Sequence, residues 1–469
     1  MHLHWHRRDL RAADNRGLAA TVENSERVLP VFIFDDDVLA HAGPPRVAFL
    51  LDALAALREW YRDHGGDLLV VAGSPSVILP ELARERGADT VTWNHDYSGL
   101  ARDRDDAVTE ALAKVGIDSK TVHDAVLQPP GTIRTNDGEP YSVFSYYWKK
   151  WRKRETADPI AAPAADVLIE PDDPGDLPTL ADLGIDEPDA DVPEAGVAAA
   201  RNRFHAFCDE DIYRYEDGRD YPAEECISGL SPHLKFGTIG IREVHERVLD
   251  ARDAAPNEAA RDAVEEFRSQ LAWREFYAQV LYFNPTVVTE NFKSYEHRIE
   301  WREDSDAFQA WKDGETGYPI VDAGMRQLRG EASMHNRVRM IVASFLTKDL
   351  LLDWRKGYAW FREKLVDHDT ANDTGGWQWA ASTGTDAQPY FRIFNPMTQG
   401  ERYDPEADYI HEYVPELRDV DPETIHAWDD LSEERRVAVA PEYPSPIVDH
   451  AERREAALEM FEQARGESS

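Results

Sequence analysis

Four segments in the second half of the chain combine small residues, hydroxyls, aromatic rings and opposite charges. They are SGLSPHLKFG (228–237), WREFY (273–277), MHNRVRM (334–340) and DHDTANDTGGWQW (367–379). Each is weak alone, because a Trp at helical spacing is usually a core residue and an Arg beside a Glu is usually a solvated pair. Together they supply what a large planar cofactor with a pyrophosphate needs, namely hydroxyls for phosphate, an aspartate for a ring N–H and an Arg to balance charge.

The first 128 residues alternate between two hydrophobic periods. Apolar runs rich in β-formers occupy 3–5, 28–34, 68–72, 90–93 and 120–123, and the longest helix candidate spans 45–62. This alternation predicts a parallel sheet covered by helices, a Rossmann-like domain. Neither GxGxxG after a strand nor GxxxxGK[ST] occurs, so the usual phosphate-binding loops are absent from this half.

The rest of the chain changes character twice. Residues 155–196 are rich in Pro, Asp and Ala and read as a long connector. After residue 197 the period is helical, most clearly at 264–281, 338–352 and 451–464. We therefore predict α/β plus all-α architecture, with an α/β domain at 1–128, a linker at 129–196 and a helical domain at 197–469.

Composition excludes several classes of protein. The chain has 469 residues with 13 Trp, 18 Tyr and 17 Phe, an apolar content that excludes a disordered protein. Cys208 and Cys226 are its only cysteines, which excludes a disulfide scaffold and a cysteine-rich metal site, and we predict no metal. The N-terminal MHLHWHRRDLR is neither a signal core nor a membrane span, so we expect a cytoplasmic protein without membrane contact.

The charge balance has two interpretations. Asp and Glu number 90 against 52 Lys and Arg, a formal net charge of −38 spread over the whole chain. Such a surface either repels nucleic acid or keeps the protein hydrated in concentrated salt, as in halophiles. We favour the second, because at about 1 M salt the Debye length is roughly 3 Å and distant carboxylates hardly repel a phosphate.

Three blocks identify a family. WHRRDLR (5–11), GGWQWAASTGTDAQPYFRIFNP (375–396) and YPSPIVDH (443–450) span almost the whole chain. With them the sequence resembles the photolyase/cryptochrome flavoproteins, most closely the microbial cyclobutane pyrimidine dimer photolyases. The resemblance implies an α/β antenna domain joined to a helical FAD-binding domain, with UV-damaged DNA as partner and a monomeric state.

The resemblance also implies roles for individual residues around FAD. The cofactor would be held by Tyr215, Ser228, Gly229, Leu230, Ser231, Arg274, Asn336, Arg339, Asp367, Asp369 and Asp373. Trp377, Trp354 and Trp301 match the chain of tryptophans that passes electrons from the surface to photoexcited flavin. The alternative for these three is that they are buried core aromatics.

For the DNA, the family pattern implies an aromatic clamp around a flipped dimer. Trp273 and Trp379 match the clamp, Asn336, Met340 and Gln270 match other lesion contacts, and Arg219, Arg337 and Arg392 match rim positions that grip phosphates. KKWRKR (149–154) is the nucleic-acid candidate from composition alone, but the resemblance implies no DNA contact there. A helix packed near the linker explains that run equally well.

The antenna assignment follows one branch of the family. Folate-binding members carry a Glu where this chain has Ala101, whereas WNHDYSGLARDRD (93–105) and LKFG (234–237) resemble the deazaflavin-binding branch. On that resemblance an 8-hydroxy-5-deazaflavin pocket would be lined by Arg8, Phe32, Asp35, Arg46, Asp96 and Lys235. Folate is disfavoured.

Five positions depart from the family pattern. Ile227 stands where the family has a Thr that contacts the FAD phosphate, and Gly229 stands where a larger residue is common. Gln270 replaces a Glu that hydrogen-bonds the dimer, and Ser333 replaces a Trp. Asp373 stands where photolyases have an Asn facing flavin N5 and plant-type cryptochromes an Asp. Burial against an aromatic cofactor is expected to raise the pKa of a carboxyl group, which could then pass its proton to the flavin.

Two functions therefore compete. The first is light-driven repair of cyclobutane pyrimidine dimers by electron transfer from photoexcited reduced FAD. The second is a cryptochrome-type photoreceptor without repair. The chain ends soon after YPSPIVDH, without the long extension usual in sensor cryptochromes, and it retains Trp273, Trp379 and Met340. Both features favour repair.

Overall fold

The computed structural model describes residues 1–224 and 226–467. Its N-terminal part contains one parallel sheet of five strands, which confirms the predicted α/β architecture. The strands are β1 (His2–His6), β2 (Val28–Phe34), β3 (Leu69–Ala72), β4 (Thr90–Asn94) and β5 (Asp118–Val122), in the spatial order β3-β2-β1-β4-β5. The strand order reverses between β1 and β4, so the loops that follow these two strands open a crevice at the carboxyl edge of the sheet.

Helices cover both faces of this sheet. They are α1 (Arg16–Val22), α2 (Asp36–Leu39), α3 (Pro44–Asp63), α4 (Pro75–Arg86) and α5 (Gly99–Lys114). All of β2 is buried, and its residues alternate between two cores: Phe32 packs with Leu54 of α3, whereas Val31 packs with Leu79 of α4 and Val108 of α5. A strand buried on both faces reads as a continuous apolar run, which is why β2 was visible in the sequence.

The C-terminal part is helical, as predicted. Its helices are α7 (Val197–Asp209), α8 (Tyr215–Gly218), α9 (Ser231–Phe236), α10 (Ile241–Ala254), α11 (Glu258–Phe283), α12 (Ser305–Asp313), α13 (Pro319–Glu331), α14 (Asn336–Ser344), α15 (Trp354–Lys364), α16 (Thr370–Ala380), α17 (Pro396–Tyr403), α18 (Asp408–Tyr413), α19 (Pro422–His426), α20 (Glu433–Val439) and α21 (His450–Ala464), numbered after α6 (Phe144–Trp151). None of the described helices is both long and apolar enough to cross a membrane.

Side-chain caps set the starts of the helices that carry the candidate site. Asn257 accepts from the backbone N–H of Ala260 at the start of α11, and Asp369 accepts from that of Asn372 at the start of α16. Each cap satisfies one of the N–H groups that a helix N-terminus leaves without a partner. The register of both helices is therefore fixed by local sequence.

The predicted helix at 338–352 differs from the structure. α14 ends at Ser344, a π-helical turn follows at Phe345–Asp349, and Leu351 has a positive φ of 58°. Within the turn Lys348 Nζ donates to Ser382 Oγ at 2.9 Å. The apolar period continues through the turn, so the sequence did not reveal where the α-helix ends.

The connector is fastened along the sheet. Between residues 155 and 196 its one regular element is a 3-10 turn at Ala165–Val167, yet the backbone N–H of Ile169 donates to Val28 O at 3.0 Å, and that of Val70 donates to Pro174 O at 2.8 Å. Further on, the Asp191 N–H donates to Gly330 O in the helical part. The segment therefore ties the sheet to the helices instead of swinging freely.

Candidate functional site

The residues assigned to the flavin lie mainly at the ends of α9, α14 and α16. Arg339 Nη2 donates to Asp367 Oδ2 at 2.8 Å, and Arg339 Nη1 lies 4.0 Å from Asp373 Oδ1. Burial alone would lower the pKa of Arg339, but these two carboxylates outweigh it and raise that pKa. Asp367 Oδ1 is buried without a hydrogen-bond partner. A ring N–H of a bound flavin would satisfy that atom, so the site fits the cofactor.

The 228–231 segment forms a cradle. Gly229 has φ +62°, and a Cβ there would lie 2.8 Å from Arg203 Nε, so a side chain would be strained as well as crowded. Ser231 and Asn336 are exposed at the first positions of α9 and α14. Ile227 offers no hydroxyl to a phosphate, and its carbonyl accepts from Arg203 Nη2 at 3.4 Å.

Two further residues assigned to the flavin are buried, Leu230 within this segment and Tyr215 before it. Leu230 is 2% exposed. Tyr215 begins α8 under the Arg219 guanidinium, 5.3 Å from its ring centroid, and burial raises the pKa of Tyr215 to about 12. The phenol therefore stays neutral and can only donate or accept hydrogen bonds.

Asp373 has a partner that the sequence did not reveal. His368 Nδ1 lies 2.6 Å from Asp373 Oδ2, which also accepts from the backbone N–H of Asp369 at 3.0 Å. Burial lowers the pKa of His368, while the Asp373 carboxylate opposes that shift. A titratable pair, and not an isolated carboxyl group, therefore occupies this end of α16.

The six residues assigned to the antenna all line one cavity of about 470 Å³ between the two parts of the chain. Arg8 bridges the parts, with Nη1 3.2 Å from Asp96 Oδ1 and Nη2 2.9 Å from Asp369 Oδ2. The volume suits a ligand of several fused rings. Arg274 and Asp369, assigned to the flavin, also line this cavity, so the two predicted sites share a wall.

The cavity is electropositive. Arg46 and Lys235 make no carboxylate ion pair within the described residues. Burial lowers the pKa of Arg46 to about 10 and that of Lys235 to about 8. Asp35 is paired with Arg104 at 3.4 Å. The Arg46 guanidinium donates to the backbone carbonyls of His41, Arg362 and Leu365, which leave its charge unneutralised. Two cations without a carboxylate partner in a half-enclosed cavity favour an anionic ligand.

The three tryptophans belong to one helical cluster. Trp377 on α16 and Trp354 on α15 are buried, whereas Trp301 is partly exposed. A Cβ on Gly357 would collide with the Trp377 ring, and Gly357 lies one turn from Trp354 on α15. Arg302, the residue after Trp301, donates its backbone N–H to the carbonyl of Leu351, which lies three residues before Trp354. Contacts thus link the Trp377 ring to the helix that carries Trp354, and the segment just before Trp354 to that of Trp301, which is the most exposed of the three.

The two clamp tryptophans lie on neighbouring helices. Trp273 on α11 and Trp379 on α16 are both half-buried, and these helices pack on each other. One face of Trp273 stacks on Phe144 of α6, with ring centroids 3.7 Å apart and planes at 11°. The stack covers one face of Trp273, and the rings of Phe276 and Tyr277 pack beside it. On α14, the Sδ atom of Met340 lies 3.9 Å from the Nδ2 atom of Asn336.

Two of the three arginines assigned to the rim are already neutralised by carboxylates. Arg219 is paired with Glu266, and Arg337 Nη2 donates to Asp220 Oδ2 at 2.6 Å. Gln270 Nε2 donates to Glu266 Oε1 at 2.9 Å, which joins Gln270 to the same network. Arg392 is exposed and makes no ion pair among the described residues.

Sequence reasoning missed several residues of these sites. His368, Arg104, Glu266 and Asp220 each contact a predicted site residue, and Phe144 stacks on Trp273. Asp220 and His368 are adjacent in the sequence to predicted site residues, and Glu266 lies one helical turn before Gln270 on α11. Arg104 and Phe144 are brought in by packing between elements far apart in the sequence.

Comparisons with known proteins agree along the whole chain. Residues 2–164 match the family model described as DNA photolyase, and residues 267–463 match the FAD binding domain of DNA photolyase. A deoxyribodipyrimidine photo-lyase of Halobacterium salinarum is 64% identical, and the alignment covers 100% of both chains. A bacterial class III photolyase from Agrobacterium tumefaciens superposes with a TM-score of 0.91 at 36% identity, covering 99% of this chain and 98% of that one. An archaeal photolyase from Sulfolobus tokodaii with two FAD molecules gives a TM-score of 0.84 at 33% identity, covering 98% and 99%.

Proposed function

The chain belongs to the DNA photolyase family, and we propose that it repairs cyclobutane pyrimidine dimers in DNA under blue light. The observation that carries this function is the full-length identity of 64% to a deoxyribodipyrimidine photo-lyase. Bound FAD supplies the light-driven electron transfer that splits the dimer. The protein supplies the binding, the orientation and the electron path described below.

The chain's own residues bind and orient the lesion. We propose that a flipped dimer enters between Trp273 and Trp379, because Trp273 is braced by Phe144 and its helix α11 packs on α16, which carries Trp379. Unstacking costs a few kcal/mol and costs least at a damaged base, which favours lesions over intact DNA. Arg392 adds an unpaired cation at the rim.

Near the flavin, Asp367 and Arg339 hold fixed charges. We propose that Arg339 balances the negative charge of a reduced flavin, while the unpartnered Asp367 Oδ1 accepts from a ring N–H. Trp377, Trp354 and Trp301 carry electrons inward from solvent, an assignment supported by the contacts that link their segments and by the partial exposure of Trp301.

The antenna is proposed to be 8-hydroxy-5-deazaflavin. Arg46 and Lys235, without carboxylate partners, support a chromophore that ionises to an anion. Denaturing protein purified from a host that makes both cofactors should release deazaflavin. Release of folate, or of more than one FAD per chain, would overturn this assignment.

Repair itself is tested on photoreduced protein in concentrated KCl with an oligothymidine that contains cyclobutane dimers. We expect thymine absorbance to recover under blue light and not in the dark. No recovery from protein whose FAD photoreduces normally would favour a (6-4) lesion or the cryptochrome function. The fold alone does not separate these functions, whereas the named relatives are repair enzymes. Monomeric state, cytoplasmic location and the domain boundaries stay predictions.

A further inference from the structure

We propose that the basic segment Lys149 to Arg154 binds the phosphate backbone of duplex DNA flanking the lesion. The segment comprises the last turn of α6 and the residues that follow it: Lys149, Lys150, Arg152, Lys153 and Arg154. The inference rests on the proposed function, because it assumes that damaged DNA occupies the clamp at Trp273.

The first argument is the lack of ion pairs. All five cations are exposed, and none makes an ion pair with a carboxylate of the described residues, although acidic residues outnumber basic ones by 90 to 52. Other exposed cations of the described residues, Arg84 and Lys120 among them, are also unpaired, but these five lie within six consecutive residues. A cluster that stays unpaired keeps its full charge for an external anion.

The rim arginines provide the contrast. Arg219 and Arg337 are held by Glu266 and Asp220, so a phosphate must first displace a carboxylate before either arginine can bind it. That exchange contributes little binding free energy, because one ion pair replaces another. The unpaired segment loses no such partner when it binds DNA.

The second argument is the continuity of the segment with the clamp. α6 is anchored by Phe144, which stacks on Trp273, and by Trp151, whose Nε1 donates to Glu275 Oε2 of α11 at 2.6 Å. At the start of α6, the Phe144 N–H donates to Asp386 Oδ2 at 3.0 Å, in the loop that leads to Arg392. The basic segment, the clamp and Arg392 are therefore joined by direct contacts.

Reach is the third argument. A helix rises about 1.5 Å per residue, so Lys149 and Lys150 lie about 8 to 9 Å along the axis from Phe144. Successive nucleotides of one strand rise about 3.4 Å. In a duplex that runs along α6, the basic segment thus reaches phosphates roughly two to four nucleotides from a dimer in the clamp. These phosphates belong to the DNA that flanks the lesion.

Aromatic neighbours stiffen the basic side chains. Lys149 Nζ lies 5.3 Å from the ring centroid of Tyr146, and the guanidinium of Arg152 lies 5.9 Å from that of Trp148. Arg154 Nη2 donates to the Thr132 carbonyl at 2.8 Å. Partial ordering reduces the side-chain entropy that binding would otherwise cost.

The test replaces three cations and compares two substrates. The variant Lys149→Gln, Lys150→Gln, Lys153→Gln is compared with Arg84→Gln, Lys114→Gln, Lys120→Gln, which removes three exposed cations from α4, α5 and β5. Affinity for a damaged duplex of about 30 base pairs is measured over a KCl series of about 0.2 to 2 M. Light-driven repair of a short oligothymidine of about four nucleotides, which leaves one nucleotide on each side of a central dimer, is measured in parallel.

We expect the first variant to flatten the slope of log affinity against log KCl by about 2 to 3, since each phosphate contact contributes about 0.9. Its repair of the short substrate should stay normal, which shows that the variant is folded, and the control should match the wild type in both measurements. An unchanged slope with normal short-substrate repair would overturn the inference, as would equal losses in both variants. Altered self-association with unchanged duplex affinity would assign the segment to a second copy of the chain and would also overturn it. Failure of the wild type to repair the short substrate would instead contradict the proposed function.

Discussion

The side-chain amide of Gln270 donates from Nε2 to Oε1 of Glu266 at 2.9 Å, and Glu266 lies one turn earlier on α11. The same nitrogen lies 3.0 Å from Ser269 Oγ. Because Glu266 and Ser269 accept from the N–H groups of this amide, its oxygen is the atom of Gln270 that remains for a ligand. Gln270 therefore offers an acceptor, as the carboxylate in other family members would.

Replacing Gln270 by Leu should weaken binding of damaged DNA about tenfold. The loss corresponds to one missing hydrogen bond to a desolvated partner, about 1.4 kcal/mol. The measurement is the dissociation constant for a dimer-containing oligonucleotide, with the undamaged oligonucleotide expected to bind as before. Gln309→Leu is the matched control, because Gln309 also donates to a carboxylate four residues away but lies exposed on α12. An equal loss for undamaged DNA would remove Gln270 from lesion recognition.

Trp377→Phe should slow the photoreduction of oxidised FAD at least tenfold and leave repair by chemically reduced enzyme nearly intact. Phe fills most of the volume of Trp but is much harder to oxidise, so it interrupts the electron path and not the packing. Transient absorption measures the first rate and thymine recovery the second. Trp428→Phe, another fully buried tryptophan of the same cluster, should change neither. Equal loss of both activities would leave Trp377 as a core residue only.

Asp373→Asn should change the absorption spectrum that blue light produces in the FAD-loaded protein. The substitution removes the carboxylate 2.6 Å from His368 Nδ1 and with it the charge that opposes the burial-lowered pKa of His368. Neither residue then offers a proton to a neighbouring flavin. Asp421→Asn, an exposed helix cap, serves as control. A spectrum identical to the wild type would exclude the pair from the photochemistry.

We expect the ionisation of Glu275 to lower the free energy of unfolding as the pH rises. Burial raises its pKa to about 7 from 4.5, against hydrogen bonds from Trp151 and from the backbone N–H groups of Leu127 and Gln128. A carboxyl group with a raised folded-state pKa contributes stability that is complete below pH 4.5 and is lost as the pH rises through about 7.

Urea unfolding at pH 5 and pH 8 measures this contribution, which is up to about 3 kcal/mol. Glu275→Gln should be less stable at pH 5, because its amide N–H groups face other donors, and should lack this part of the pH dependence. The same slope in both proteins would show that Glu275 does not titrate in this range.

Much of the fold was predictable from local pattern. The predicted strands match all five strands to within a few residues. β1, β2 and β4 are largely buried and read as continuous hydrophobic runs, whereas the edge strand β5 is polar and has no buried residue. The π-helical turn at Phe345–Asp349 was not predictable, because the hydrophobic period is unchanged across it. The sheet order also depends on which crossovers pack, which no single segment encodes.

By itself the sequence determined the family, the flavin and the set of side chains available for chemistry, because these depend on residue types at fixed spacing. The tertiary structure alone decided which of those side chains are free to act. Arg337 meets Asp220 across 117 positions and Trp273 meets Phe144 on another helix, whereas Lys149 and Lys150 remain without carboxylates. The reason is that an ion pair or a ring stack depends on distance and burial in the folded chain, and these arise from packing between elements far apart in sequence.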